Sequence, residues 1–285
     1  MRRTIDNGTG RRGEWVLVTG ASAGIGRELA RAFAQRGFDL ILAARNEAAL
    51  AALARELAAT DAVRAKTMQV DLSLPGAAEA MAEALDGAGV EVGVLVNNAG
   101  VLFEGDFASI ALTDHLRLLQ INVVALTSLS RLFVPVMVKR GAGRILNVAS
   151  IAAVVPVPQL AVYAAAKAYV LSLTESLVVE LRGSGVTATA LCPGFTDTAM
   201  IRGSALAKHI PPLSPKDVAE LGCAACLKGE AICVPGLVNK AIASGAPLMP
   251  RSLVRALGGA MNGRECGMLA TLLRGFGATD GGAGR

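Results

Sequence analysis

Aromatic side chains are scarce in this sequence: one tryptophan, two tyrosines and seven phenylalanines make up 4% of its 285 residues. Proteins that grip nucleic acid by base stacking need aromatic platforms interleaved with basic residues. The arginines and lysines here are scattered without such platforms, so the net charge of +5 is not read as a nucleic-acid footprint. An anionic cofactor accounts for it equally well. Five cysteines (Cys192, Cys223, Cys226, Cys233 and Cys266) are an odd number with no repeating framework, which points to reduced thiols and a cytoplasmic setting. Cys223 and Cys226 form a C-x-x-C, but no second pair accompanies them, and the two histidines, His115 and His209, are distant in sequence. They are read as small helical packing residues, and no metal site is expected.

Long apolar runs are also missing. A spanning helix needs roughly 18 uninterrupted apolar residues, whereas the stretch from Val123 to Val138 contains Arg131 and that from Ile151 to Ala166 contains two prolines. No integral membrane segment is expected. The first 14 residues are polar and basic, lack the apolar region of a secretory signal, and read as a flexible leader.

Small apolar residues are plentiful. Of the chain, 53% is hydrophobic, mostly Ala, Val and Leu, which excludes disorder throughout and suits helices packed on a buried parallel sheet. The length allows one large domain or two small ones. Strand-like runs at 15–19, 39–44, 65–70, 92–96, 144–149, 186–191 and 231–235 alternate with Ala-rich, charged helical stretches, the pattern of repeated βαβ units. Seven strands in series without a linker predict one α/β domain over 15–235, a seven-stranded parallel sheet with helices on both faces. The loops that follow the strands should share one edge, where ligands of open α/β sheets bind. Ser214-Pro215-Lys216-Asp217 has the form of a helix start, with a capping serine, proline in the first turn and an acid behind it. Beyond Pro235 the pattern becomes rich in Leu, Ala and Arg, predicting a helical C-terminal extension over 236–275, and 276–285 reads as a disordered tail. Arg251, Arg255, Arg264 and Arg274 with helically spaced leucines would suit a membrane surface; interrupting glycines favour packing on its own domain or on a partner subunit.

After the first strand comes Thr19-Gly20-Ala21-Ser22-Ala23-Gly24-Ile25-Gly26. An ordinary strand-to-helix connection is the plain reading of a glycine-rich turn, and this G-x-x-x-G-x-G lacks the lysine of a nucleoside triphosphate loop. Its place between a strand and a helix favours a dinucleotide pyrophosphate, held by backbone N–H groups at the helix N-terminus. The second strand ends Ala43-Ala44-Arg45. An acid there would bind a ribose diol and an arginine a 2′-phosphate, so NADP(H) is favoured and NAD(H) left open. Tyr163 and Lys167 are four apart at the start of a helix and share a face, and Ser150 lies 13 residues before Tyr163. Singly, each has a structural explanation.

In order and spacing, the TGASAGIG turn, Asp71-Leu72, Asn97-Asn98-Ala99-Gly100, Asn122, Ser150, Tyr163-x-x-x-Lys167 and Pro193-Gly194 resemble the short-chain dehydrogenase/reductase family over residues 15–200. The resemblance implies a single Rossmann-type domain and an oxidoreductase that moves a hydride between nicotinamide and a carbonyl or secondary alcohol. It implies Tyr163 as the proton-transfer residue. A free phenol titrates near 10, too high for a ready base in the reverse direction; the Lys167 ammonium, with the positive nicotinamide of the oxidised state, is expected to favour the phenolate, and Lys167 to hold the nicotinamide ribose. Ser150 is expected on the substrate oxygen, and Asn122 on a water leading from Lys167 to solvent. For the cofactor it implies Gly20, Ser22, Ala23, Gly24, Ile25 and Gly26 at the pyrophosphate and Asp71 and Leu72 at the adenine. Asn98, Ala99 and Gly100 form the cleft floor, with Pro193, Gly194, Thr196 and Thr198 at the carboxamide. Many NADP-preferring members carry a base inside the glycine turn, where this chain has Ala23, so Arg45 stands without that helper.

Segments 152–159 and 195–213, which supply Val154, Val155, Pro156, Val157, Phe195, Met200, Ile201 and Leu206 with few charges, are expected to wall the cleft for an apolar carbonyl compound. A 3-oxoacyl thioester is an alternative substrate, with Arg131, Lys139 and Arg140 as a docking patch for an acidic carrier. A catalytically silent dinucleotide-binding regulator is the alternative of another class, which the presence of Asn122, Ser150, Tyr163 and Lys167 together disfavours. By the resemblance, the chain forms a homodimer or homotetramer.

Overall fold

The computed structural model describes residues 14–200 and 212–261. The leader, the part of the cleft wall at 201–211, and the chain after Met261, including the end of the extension and the tail, lie outside the described residues.

Seven strands occur among the described residues: β1 (Trp15–Thr19), β2 (Asp39–Ala44), β3 (Ala65–Gln69), β4 (Val92–Asn97), β5 (Gly143–Val148), β6 (Val186–Leu191) and β7 (Ile232–Cys233). They form one parallel sheet in the order β3-β2-β1-β4-β5-β6-β7. Strands β1, β2 and β4 are buried along their whole length, and their sequences WVLVT, DLILAA and VGVLVN lack strict alternation because both faces are covered. β7 is shorter than its apolar run suggests, since only Ala190 and Leu191 of β6 pair with it.

Helices α1 (Gly24–Ala34), α2 (Glu47–Thr60), α3 (Ala77–Gly87), α4 (Leu112–Leu119), α5 (Leu126–Arg140), α6 (Ala161–Glu180) and α7 (Pro215–Lys228) connect the strands. On one face Leu29 and Phe33 of α1, Leu50, Leu53 and Leu57 of α2, and Val218 and Cys223 of α7 pack on Val16, Val18, Leu40, Leu42 and Val94. On the other, Met81 and Leu85 of α3 and Leu129 and Met137 of α5 pack on Leu17, Ile41, Leu95 and Ile145. Ser214 caps α7 as its sequence predicts, accepting from Asp217 N at 3.4 Å. Cys223 and Cys226 are buried on α7, and burial pushes the Cys226 thiol up to about 12, the behaviour of packing residues. A π-helical turn (Gln120–Ala125) joins α4 to α5 without a break. The composite helix Leu112–Arg140 and helix α6 are therefore long and apolar enough to cross a membrane by length and composition. Both lie against the sheet, with Leu129, Met137 and Leu177 among the apolar side chains packed there.

The chain runs outward from β1 to β2 and β3, then returns to place β4 on the other side of β1. Connections diverge at this point, so a crevice opens beyond the carboxyl ends of β1 and β4.

The C-terminal extension forms α8 (Leu237–Gly245), a 3-10 turn (Ala246–Leu248) and α9 (Arg251–Met261). It packs on its own domain. Val254 is buried, and Gly258 sits so close to the β5–α6 connection that a Cβ there would lie 2.2 Å from the Pro156 carbonyl oxygen. A Cβ on Gly194 would likewise lie 2.4 Å from the Asn239 amide of α8.

Candidate active site

The crevice is a cavity of about 410 Å³, within the range of small-molecule sites. The glycine turn forms one wall. Gly20 takes φ +67°, donates from its N–H to Ala43 O at 2.8 Å, and is so tightly enclosed that a Cβ would lie 2.8 Å from Asn98 Nδ2. At Gly26 a Cβ would lie 2.4 Å from Gly20 O, so α1 can approach the turn only without a side chain there. Ala23, at the N-cap of α1, has no side chain able to cap it. The first N–H groups of the helix thus face the cavity wall at the positive end of the helix dipole, as binding of an anionic group requires.

Thr19 ties the turn to the segment after β4. Its hydroxyl donates to Val96 O at 3.1 Å and accepts from Asn98 N and Ala99 N, each at 3.0 Å, while Asn98 Nδ2 returns a 2.8 Å bond to Thr19 O. Sequence reasoning used Thr19 only as the start of the motif. Its role shows only when the ends of β1 and β4 are side by side.

Ser22, Ala23, Gly24, Ile25, Arg45, Asp71, Leu72, Asn98, Ala99, Gly100, Ser150, Tyr163, Lys167, Pro193, Gly194, Thr196 and Thr198 all line the cavity with Gly20 and Gly26. Arg45 is exposed at one end. Nearby Asp71 accepts from Ser73 N and Ser73 Oγ at 2.9 and 2.7 Å. Burial raises its carboxyl, but those bonds and the charge of Arg45 outweigh it and hold the group below its usual value. Lining residues that no motif singled out include Asn46, Val101, Ile121 and Ala199; they carry no chemistry-bearing pattern and reach the cavity only through the fold.

At the opposite end are Ser150, Tyr163 and Lys167. Ser150 follows β5, and its Oγ accepts from Ala152 N at 3.1 Å, shaping the 3-10 turn Ile151–Ala153. Tyr163 and Lys167 come from the first two turns of α6. Lys167 Nζ donates to Val148 O at 2.7 Å and lies 5.7 Å from the centre of the Tyr163 ring. Burial lowers the lysine to about 8. The Tyr163 phenol is pushed above its ordinary value by burial, and its hydrogen bond with Ser150 offsets part of this. In the polypeptide without cofactor, burial thus dominates at the phenol. Ala152, Val157, Leu160 and Ala164 form an apolar cluster against which Tyr163, Leu102 and Phe195 pack.

Asn122 sits apart. It is buried in the π-helical turn, with Oδ1 accepting from Val101 N at 2.9 Å and Nδ2 donating to Val101 O at 3.0 Å. Its side chain clamps the segment after Gly100, and a π-turn frees a main-chain carbonyl from the regular helical ladder. Beneath the site, Asn97 and Asn147 are paired across β4 and β5. Asn97 Nδ2 donates to Asn147 Oδ1 at 2.9 Å and to Ser130 Oγ at 3.1 Å, and Asn147 Nδ2 donates to Thr174 Oγ1 at 2.9 Å. This ladder joins both strands to α5 and α6.

The family model described as short chain dehydrogenase matches residues 14–208. The chain is 35% identical over 196 residues to the very-long-chain 3-oxoacyl-CoA reductase of Rattus norvegicus, covering 67% of this chain and 62% of that protein. It thus spans about three fifths of that relative's length. Sulfoacetaldehyde reductase 2 of Chromohalobacter salexigens is 36% identical over 217 residues, 72% of this chain and 85% of that one. Among solved structures, a short-chain dehydrogenase from Sphingobium yanoikuyae in complex with NADPH superposes with a TM-score of 0.75 at 29% identity, over 95% of this chain and 98% of the other. The glycine turn on β1, the Asn98–Gly100 floor on β4 and the Ser150, Tyr163 and Lys167 group on β5 and α6 thus accompany a match over most of the chain, which belongs to the short-chain dehydrogenase/reductase family.

Proposed function

We propose that this protein is an NADP(H)-dependent oxidoreductase that reduces the carbonyl of an apolar ketone or aldehyde, or oxidises the corresponding alcohol. The observation that carries the reading is the single cavity shared by an uncapped helix N-terminus and the Ser150, Tyr163 and Lys167 group. The cavity suits a dinucleotide phosphate: backbone donors of the glycine turn for the pyrophosphate, Arg45 for a 2′-phosphate, and Asp71 and Leu72 beside the adenine. When bound, the nicotinamide supplies and accepts the hydride. NADPH is bound by the Sphingobium relative, which supports the phosphate-bearing cofactor; NAD(H) is the competing ligand.

The polypeptide's part is proton transfer and orientation. Ser150 Oγ accepts from Ala152 N and is hydrogen-bonded to Tyr163; turned from the phenol to a bound substrate oxygen, its proton would orient the carbonyl and stabilise the developing negative charge. Tyr163, kept as a phenol, donates the proton that the oxygen needs. Lys167, close to 8, exchanges a proton near neutral pH and relays one from solvent to restore the Tyr163 phenol after reduction, with Asn122 as the expected anchor for a water. In the alcohol-oxidising direction Tyr163 must lose its proton, which burial opposes, so positive charge from Lys167 and oxidised cofactor has to compensate. The apolar cluster around Tyr163 supports an apolar substrate. A panel of apolar and polar carbonyl compounds, followed by nicotinamide absorbance with NADPH and NADH, tests the reading; turnover confined to polar substrates would sink it.

Likeness to the rat reductase favours a second reading, a 3-oxoacyl thioester as substrate. Of the three cations that could dock a carrier, Arg140 is already engaged, with Glu91 at 2.7 Å and Val92 O at 3.1 Å. The reading therefore rests on the acyl part and not on a docking patch. A homo-oligomer is supported by exposed Leu112, Leu116, Val124 and Val136 along α4, the π-helical turn and α5, and a cytoplasmic setting by the free thiols Cys192, Cys223, Cys226 and Cys233.

A further inference from the structure

The outer side of the C-terminal extension is an apolar surface on a segment whose own charges, from Ala231 to Met261, are all positive. On the helical run from α8 into its 3-10 turn, Leu237, Ala241, Ser244 and Leu248 fall at i, i+4, i+7 and i+11 and share one side. All four are exposed. Leu237 is 84% exposed, Leu248 87% and the flanking Val238 71%, unusual values for large apolar side chains gathered on one short element. The inner side is occupied: Asn239 donates to Pro235 O at 2.7 Å and abuts Gly194, while Ala246 and Val254 are buried.

Charge decides what covers the outer side. Between Ala231 and Met261 the sequence has no aspartate or glutamate, while Lys240, Arg251 and Arg255 are all exposed. The apolar stripe along α4 and α5 differs, carrying Asp114 as well as Arg117 and Arg131, the mixed signs that suit contact with a second copy. Two copies meeting through α8 about a two-fold axis would oppose cations with cations. A bilayer with anionic headgroups satisfies both properties: its acyl boundary takes the leucine tips and its headgroups take Lys240, Arg251 and Arg255.

We infer that α8 and the α8–α9 turn dock the protein peripherally on an anionic lipid surface, through Leu237, Val238 and Leu248 with Lys240, Arg251 and Arg255 around them. The docking side is the back of the helix whose Asn239 touches Gly194 at the cavity wall, so the membrane lies beside the substrate cleft. This inference does not depend on which carbonyl compound is reduced.

The experiment is flotation of the full chain with vesicles of phosphatidylcholine alone or mixed with phosphatidylglycerol. The protein is expected to float with the mixed vesicles, not with phosphatidylcholine alone, and to be released by salt. Leu237→Glu/Leu248→Glu should abolish flotation with an unchanged melting temperature. Lys240→Gln/Arg251→Gln/Arg255→Gln should weaken partitioning by about fivefold per cation, since each contributes about 1 kcal/mol at an anionic surface. Failure of the unaltered protein to float, equal flotation with phosphatidylcholine alone, or equal flotation of the leucine variant would overturn the inference. So would a leucine variant that changes only the oligomeric state on a sizing column, which would identify the face as a contact between copies.

Discussion

Lys167 directs its Nζ to the carbonyl of Val148 at 2.7 Å while standing 5.7 Å from the centre of the Tyr163 ring. The strand end and the first turns of α6 are thereby locked together, and the two ionisable groups are shifted in opposite senses by the same burial: the amine down to about 8, the phenol up.

Removing the phenol hydroxyl should separate chemistry from binding. Tyr163→Phe is expected to lower kcat for carbonyl reduction by roughly a hundred- to ten-thousand-fold, the usual range for a lost general acid. NADPH affinity, read by fluorescence titration, should change little. Retention of full turnover would remove Tyr163 from its proposed role.

Lys167 should leave a mark on the pH dependence of stability. Its folded value, about 8, lies below the ordinary lysine value of 10.5. The ammonium therefore destabilises the fold fully below pH 8, and that penalty is relieved as pH rises from 8 toward 10.5, where the unfolded chain binds more protons than the native one. The shift corresponds to about 3 kcal/mol. Urea unfolding without cofactor should show the unaltered protein gaining stability relative to Lys167→Met between pH 8 and 10. Parallel curves would show that Lys167 is not depressed. Above pH 10 Tyr163 acts in the other direction, because a phenol raised by burial resists ionisation that the unfolded chain undergoes.

Arg45→Asp should invert the cofactor preference. A hydrogen bond to a charged group contributes about 1.5–3 kcal/mol, so NADPH should bind roughly ten- to a hundredfold more weakly, and NADH should gain on it. Titration of both cofactors checks this; an unchanged ratio would assign the 2′-phosphate to other groups.

Gly258→Ala tests the seat of the extension. The added Cβ would lie 2.2 Å from Pro156 O, and with backbone on both sides α9 itself must shift. Overpacking of this kind costs about 1–3 kcal/mol, a fall of several degrees in melting temperature. Because Pro156 belongs to the connection that leads to Tyr163, KM for the carbonyl compound should rise more than kcat falls.

Much of the fold was legible because its central strands are buried on both faces, leaving continuous apolar runs such as those of β1, β2 and β4. The Tyr163–Lys167 spacing was legible for a similar reason: a helix turns four residues into neighbours. Three features were not. The π-turn that directs Asn122 to Val101 has no sequence signature distinct from an ordinary helix. The seat of α9 depends on one glycine meeting one carbonyl about a hundred residues away, which no periodicity encodes. And the upward pull on the Tyr163 phenol follows from how deeply α6 is covered, which the spacing of Tyr163 and Lys167 does not encode.

The Asn97–Asn147–Thr174 ladder also bears on how the chain assembles. A parallel sheet of near-uniform Val, Leu and Ala offers many acceptable alignments, and a strand displaced by one residue still buries aliphatic carbon. With the ladder in place, such a slip of β5 would turn Asn147 to the opposite face and leave Asn97 and Thr174 without their amide partner. Asn97 keeps Ser130 Oγ and Thr174 keeps Val170 O, but the buried Asn147 amide loses both partners, and each of its groups left unpaired costs about 1–3 kcal/mol. The ladder thus works as an alignment key, making one register of β4 and β5 distinctly lower in energy, and with it the spacing between the Asn98 floor and Ser150.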